Sequence, residues 1–172
     1  MELEQAVRGR RTHKVYGPEP VGRETLEALF ELARWAPNHH LTNPWRFRVV
    51  GPAALERLKT AEGDAVAARK LDRAPTLVAV TSVSAPDATE GERQEDLMAA
   101  ACAAYAVLLG ATARGLASYW RTPGVLERPE GRAALGIGPA EQIVGLLHLG
   151  QWRQEPERPE RAPLADVAEF LD

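Results

Sequence analysis

The chain has one cysteine, Cys102, so no disulfide can form within it, and a reducing, cytoplasmic location is the expectation. No uninterrupted apolar run approaches the roughly 18 residues of a membrane helix, and no membrane partner is expected. The acidic start Met1-Glu2-Leu3-Glu4 lacks the basic-then-apolar pattern of a signal peptide. Histidine is scarce, four in all, and no His-x-x-x-His or Cys-x-x-Cys spacing occurs, which speaks against a structural metal site. Nucleophile elbows of the form Gly-x-Ser-x-Gly are missing, as are a Walker loop and a Gly-x-Gly-x-x-Gly turn. Any phosphate must therefore be held mainly by side chains. A net charge of −3 argues against a nucleic-acid partner.

What is present is ordinary in bulk and uneven in detail. The 172 residues, 45% hydrophobic and 26% charged, suit one domain over 1–172. Of 21 basic residues, 18 are arginine and three are lysine (Lys14, Lys59, Lys70). Arginine is the side chain suited to planar recognition of phosphates. Arg8, Arg10, Arg11 and Lys14 fall in one short run.

Periodicity predicts a short helix over Glu2–Arg8, a second over Arg23–Trp35 and a third over Ala53–Lys70 with a break near Gly63. Alternation in Trp45–Val49 and the apolar runs Thr76–Thr81, Ala117–Arg121 and Ile143–Leu149 read as strands. Gln94–Arg114 is expected to be a central helix rich in Ala and Gly, stopped by Gly115, with Cys102 as a small core residue. Its small residues would let another helix approach, in this chain or a second copy. A short helix is expected near Glu130–Leu135, and from about 151 a Pro- and charge-rich tail should lie along a surface. The fold class is α+β, helices around one sheet.

Three clusters can carry chemistry. Arg10-Arg11-Thr12 offers two guanidinium forks and a hydroxyl for a dianionic phosphate, against the plainer reading of a solvated basic loop. Pro37 to Pro44 packs Asn38, His39, His40, Thr42 and Asn43 between two prolines, which suits a site-forming loop or a capped helix stop. Tyr119-Trp120-Arg121-Thr122-Pro123 gathers aromatic and cationic groups at a strand end; a buried Trp with a satisfied Arg is the alternative.

In order and spacing these pieces, with Ala36-Pro37, Asn43-Pro44-Trp45-Arg46-Phe47 and Ile143 to Gly150, resemble the compact branch of the nitroreductase family of flavoproteins. The resemblance implies a three-layer α/β/α sandwich with a mixed, mainly antiparallel sheet and a central small-residue helix. It further implies a homodimer with FMN at the subunit interface, and a ping-pong hydride transfer from NADH or NADPH to a small nitro, quinone or related acceptor. By the same resemblance Arg10, Arg11 and Thr12 hold the phosphate and ribityl chain, Trp35 and His39 contribute across the dimer, and Trp120, Arg121 and Thr122 add contacts. Lys14 matches a lysine beside the flavin ring and Arg161 a C-terminal phosphate-binding arginine of larger relatives. Gly110 to Gly115 corresponds to a segment linked with the nicotinamide nucleotide. Asn43 stands where a glutamine is usual, Trp35 where a close relative has a basic residue, and His39 and His40 replace small polar residues. Enone reduction, dehalogenation, a non-catalytic flavin-binding role and small-RNA binding stay open as alternatives.

Overall fold

Local signals decide where the helices begin and end. The structure, a computed structural model, describes residues 1–154, 156–157 and 159–171; Glu155, Arg158 and Asp172 lie outside the described residues. Helix α1 is Leu3–Gly9 and α2 is Arg23–Ala33, ending two residues short of Trp35 in a turn before Pro37. Helices α3 (Pro52–Glu62) and α4 (Ala65–Arg69) are separated by Gly63 at φ 74°, where the sequence places a break. Asp64 then starts α4, its side chain accepting from the Ala67 N–H at 2.7 Å. Helix α5 runs Glu90–Ala113, beginning four residues before the expected Gln94 because Thr89 and Glu92 form a reciprocal capping box. Helix α6 is Pro129–Ala134, with proline in its first turn.

Four strands, β1 (Trp45–Val49), β2 (Thr76–Ser82), β3 (Leu116–Arg121) and β4 (Gln142–Gln151), form one sheet in the order β1-β2-β4-β3. All three strand pairs are antiparallel. The expected parallel character reduces to an isolated bridge between Thr12 and Ser118. On one face Val78, Val80, Leu147 and Leu149 pack with Leu26 and Leu29 of α2 and with Ala100, Ala103, Ala104 and Val107 of α5. On the other, Leu77, Ala79 and Leu146 meet Leu58, Leu71, Val125, Leu126 and Ala134. Three layers result, with β2 and β4 covered on both sides, which is why both read as continuous apolar runs.

The small residues of α5 serve this chain first. A Cβ on Gly110 would lie 2.9 Å from methyl groups of both Leu29 and Leu32, so the glycine sets how closely α2 approaches. The opposite side of α5 is not buried: Met98, Cys102 and Tyr105 are exposed, which corrects the core placement of Cys102. By length and composition α5 could cross a bilayer, contrary to the reading that no segment approaches this; half of its apolar window is buried within the fold. Past β4 the described tail is largely exposed and holds a 3₁₀ turn at Leu164–Asp166.

Polar groups lock the layers. Arg48 of β1 makes a bidentate pair with Glu141 at 2.7 and 2.8 Å, and Thr81 donates to the same carboxylate. Burial works to raise the Glu141 carboxyl, but Arg48, Thr81 and the Gly138 N–H outweigh it and hold it below its usual range. His148, in β4, is 0% exposed, and among the described residues neither ring nitrogen has a partner. Burial, then the charges of Arg121 and Arg73, depress its pKa to about 3.

The unfolded chain binds a proton at His148 near the ordinary 6.5, whereas the folded chain refuses it until about 3. Stability is thus complete above the unfolded value and is lost as pH falls through that window, by about 1.4 kcal/mol per pH unit from this group. Urea unfolding between neutral pH and about pH 4 is expected to show a steeper loss in the native sequence than in His148→Leu. Parallel pH profiles would refute the buried neutral imidazole.

Candidate functional site

Where α1 stops at Gly9, the chain leaves as an extended arm. Arg10 closes the helix, its N–H donating to Ala6 O at 2.9 Å, and His13 N–H donates to Ser118 O at 3.0 Å along the free edge of β3. Arg11 turns back, its Nη1 donating to the carbonyls of Arg8 and Arg10 at 2.6 and 2.7 Å. It thereby covers the negative end of α1. Arg10, Arg11 and Thr12 line a cavity of about 400 Å³ whose other wall is tail: Pro156, Glu157, Pro159 and Arg161. The fold therefore brings Arg161 to the N-terminal arginines from the far end of the sequence. Lys14 lines an adjoining cavity of about 220 Å³ with Thr12, His13 and Pro156.

Among the described residues, Arg10, Arg11, Lys14 and Arg161 form no ion pair. Glu157 is, among the described residues, the one acid on the wall of the larger cavity. His13, which sequence reasoning passed over, lines the cavity around Lys14 and a further one with Arg11, Thr112, Gly115 and Trp152. Burial lowers its pKa; hydrogen bonding to Ser118 and Arg11 works against that, and the charges of Arg10 and Arg11 add to it. Gly115, the helix stop, has φ 71° as expected of a glycine ending a helix, and the neighbouring Gly110 is closed off by α2.

The Pro37–Pro44 loop lies elsewhere on the chain. A 3₁₀ turn at His39–Leu41 lies within it, and His39, His40 and Thr42 line a cavity of about 120 Å³ with Asp87, Glu92, Glu95 and Asp96. This cavity shares no residue with those around Arg10 to Lys14. His39 Nδ1 is 3.3 Å from Glu95, and Thr42 donates to Asp96 at 2.6 Å. Asn43 is folded into the loop, its N–H donating to Asn38 Oδ1 and its Nδ2 to Leu41 O. Arg46 covers the loop's exit, its Nη1 donating to the carbonyls of Asn43 and Trp45 at 2.9 and 2.8 Å. Trp35 is 76% exposed, its indole N–H donating to Glu31 at 3.2 Å. Asp96 and Glu95 were not singled out from sequence; the available signal was a carboxylate followed at once by the apolar stretch of α5.

At the end of β3 the indole N–H of Trp120 donates to Val144 O at 3.0 Å, so that group is already committed within the fold. A β-bulge at Val144 and Gly145 makes the fit: Gly145 has φ 153°, and a Cβ there would lie 2.3 Å from Trp120 Nε1 and 2.6 Å from Arg121 O. Arg121 reaches to the Lys70 carbonyl at 3.3 Å, and Thr122 is exposed. Trp120 therefore shapes the strand end from which Arg121 and Thr122 project.

Comparison with known proteins identifies relatives of the chain and of its fold. The family model described as "Nitroreductase family" matches residues 7–151. A chain of Escherichia coli (strain K12) named as an NAD(P)H nitroreductase, YdjA, is 31% identical over 160 residues, covering 86% of each chain. The crystal structure of a nitroreductase-like family protein from Bacillus cereus superposes with a TM-score of 0.89 at 23% identity, covering 100% of this chain and 97% of that one. A nitroreductase from Desulfovibrio desulfuricans, crystallised in complex with FMN, gives 0.82 at 23% identity over 99% and 98%.

The packing at the bulge sets a test. Gly145→Ala is expected to cost about 2 kcal/mol or more, since the methyl must displace both an indole and a backbone carbonyl from a strained φ. Urea unfolding measures this. A variant within about 0.5 kcal/mol of the native chain, the usual range of neutral surface changes, would disprove the close contact.

Proposed function

The chain belongs to the nitroreductase family, and from that premise we propose that it is an FMN-dependent NAD(P)H oxidoreductase reducing nitro, quinone or related small acceptors by a ping-pong mechanism. The observation that carries the reading is the cavity where Arg10, Arg11 and Thr12 from one end of the chain meet Arg161 from the other. Its donor set matches a phosphate: guanidinium forks and a hydroxyl, with no ion pair among the described residues to neutralise them first.

In this reading Arg10 and Arg161 grip the phosphate, and Thr12 Oγ1 donates to it or to the ribityl chain. Arg11, partly spent on the end of α1, contributes positive potential and its remaining N–H groups. Bound FMN supplies the two-electron redox chemistry between nicotinamide nucleotide and acceptor. Lys14, in the adjoining cavity, or Arg121 would supply positive charge to the bound ring. Thr122 and the Trp120 backbone would add further contacts to the bound cofactor. No side chain is required as an obligatory acid, because protons reach the acceptor from solvent.

The whole chain acts as one domain within a homodimer, and the site is completed by Trp35, His39 and Asn43 of the other subunit. Two features support this. The two halves of the candidate site share no cavity in one chain, and α5 leaves Met98, Cys102 and Tyr105 uncovered, while Leu32 and Trp35 are exposed as well. The tail adds Leu164, Val167, Phe170 and Leu171, all more than two-thirds exposed.

The purified protein is expected to be yellow, to bleach anaerobically with NADH or NADPH, and to run at twice the chain mass in light scattering. Arg10→Ala and Arg161→Ala should each weaken FMN binding about 10-fold or more, the worth of a charge-assisted hydrogen bond. Variants that retain flavin as tightly as the native chain would overturn the phosphate assignment.

A further inference from the structure

The loop before β1 holds a backbone that its own residues do not favour. His40, Leu41 and Asn43 have φ of 51°, 54° and 48°, the left-handed region, and none is glycine. Asparagine tolerates this; histidine and leucine do so at a cost. Such a conformation persists where surrounding groups over-determine it. Several of the bonds that do so are local. Asn43 N–H donates to Asn38 Oδ1 at 2.9 Å, Asn43 Nδ2 to Leu41 O at 2.7 Å, and Arg46 to Asn43 O at 2.9 Å. The first two tie the segment to itself; the third, with the bond from Val83 N–H to Pro44 O, ties its far end to the sheet and leaves its registration against α5 undetermined.

Placement comes from Thr42. Its Oγ1 donates to Asp96 Oδ1 at 2.6 Å, joining residues 54 positions apart. Asp96 is 5% exposed and sits on α5, a helix fixed by its packing against α2 and the sheet. The other anchor from the loop to α5, His39 to Glu95, joins side chains 59% and 47% exposed, and such pairs hold little. Against α5, one short bond to a buried carboxylate therefore carries most of the registration of this loop.

We propose that Asp96 is a positioning residue: through Thr42 it holds the His39–Asn43 backbone in the strained form that presents His39 and Asn43 to the flavin of the other subunit. This rests on the reading that the loop meets the flavin. Asp96 touches neither cofactor nor acceptor, and its effect passes entirely through Thr42.

Thr42→Val removes the donor and keeps the shape; Thr42→Ser keeps the donor. Apoprotein titrated with FMN, followed by flavin fluorescence, is expected to show a Kd at least about 10-fold higher for Thr42→Val, recovering to within about 2-fold for Thr42→Ser. Asp96→Ala should match Thr42→Val. The melting temperature of each apoprotein is read alongside: a fall in Tm with unchanged Kd marks a merely structural bond and overturns the proposal. His39→Ala and Asn43→Ala serve as reference. If both leave Kd unaltered, the reading that the loop meets flavin fails, and the positioning role falls with it. If they raise Kd while Thr42→Val does not, positioning alone is overturned.

Discussion

Strand β4 is the member on which the rest of the molecule depends. Its backbone is paired on both edges, to β2 and to β3, and its side chains are buried on both faces. At its start Glu141 reaches across to Arg48 and so fixes β1, a strand that β4 does not touch directly. At its bulge Gly145 makes room for Trp120. At its end Gln151 O accepts from Gly17 N–H at 2.8 Å, and Trp152 bridges to Tyr16, so the N-terminal arm is hung from the same strand. Tyr16 is itself buried and donates to His13 O at 2.8 Å, which stiffens the arm just beyond Lys14. A buried ladder thus transmits its rigidity to the surface where the basic residues are displayed.

Much of the fold was legible because its signals are local. The breaks at Gly63 and Gly115, the alternation of Trp45–Val49 and the apolar run of β4 each announce themselves within a few residues. The start of α5 precedes the expected Gln94 because the Thr-x-x-Glu signature of Thr89 and Glu92 opens the helix in a polar stretch, ahead of the apolar residues that mark its body. Cys102 was misplaced for a different reason. A helix of small apolar residues looks buried all round, and nothing in composition distinguishes the side covered by α2 from the side left open.

The candidate site divides in the same way. Arg10-Arg11-Thr12 is conspicuous because it concentrates charge, whereas the approach of Arg161 to it depends on the path of the tail, which no periodicity encodes. Trp120 drew attention as an aromatic beside an arginine; its committed N–H follows from the bulge, a product of sheet register. Asp96 was hidden by its setting, since a carboxylate in a helix is ordinarily on the wet side. Only the three-dimensional path of the loop reveals that Thr42 comes to meet it.

The outer strand β1 leaves one edge of the sheet open, and Arg46 bears on what that edge can do. Pro44 O accepts from Val83 N–H and so faces inward; the next carbonyl, Trp45 O, is turned outward by the alternation of the strand. Arg46 occupies that outward carbonyl along with Asn43 O. An incoming strand would have to evict a guanidinium and leave its charge stranded beside the new backbone. The arginine is thus a chemical bumper against self-templated pairing and fibril growth at this end of the sheet, a safeguard placed where an exposed ladder would otherwise invite it.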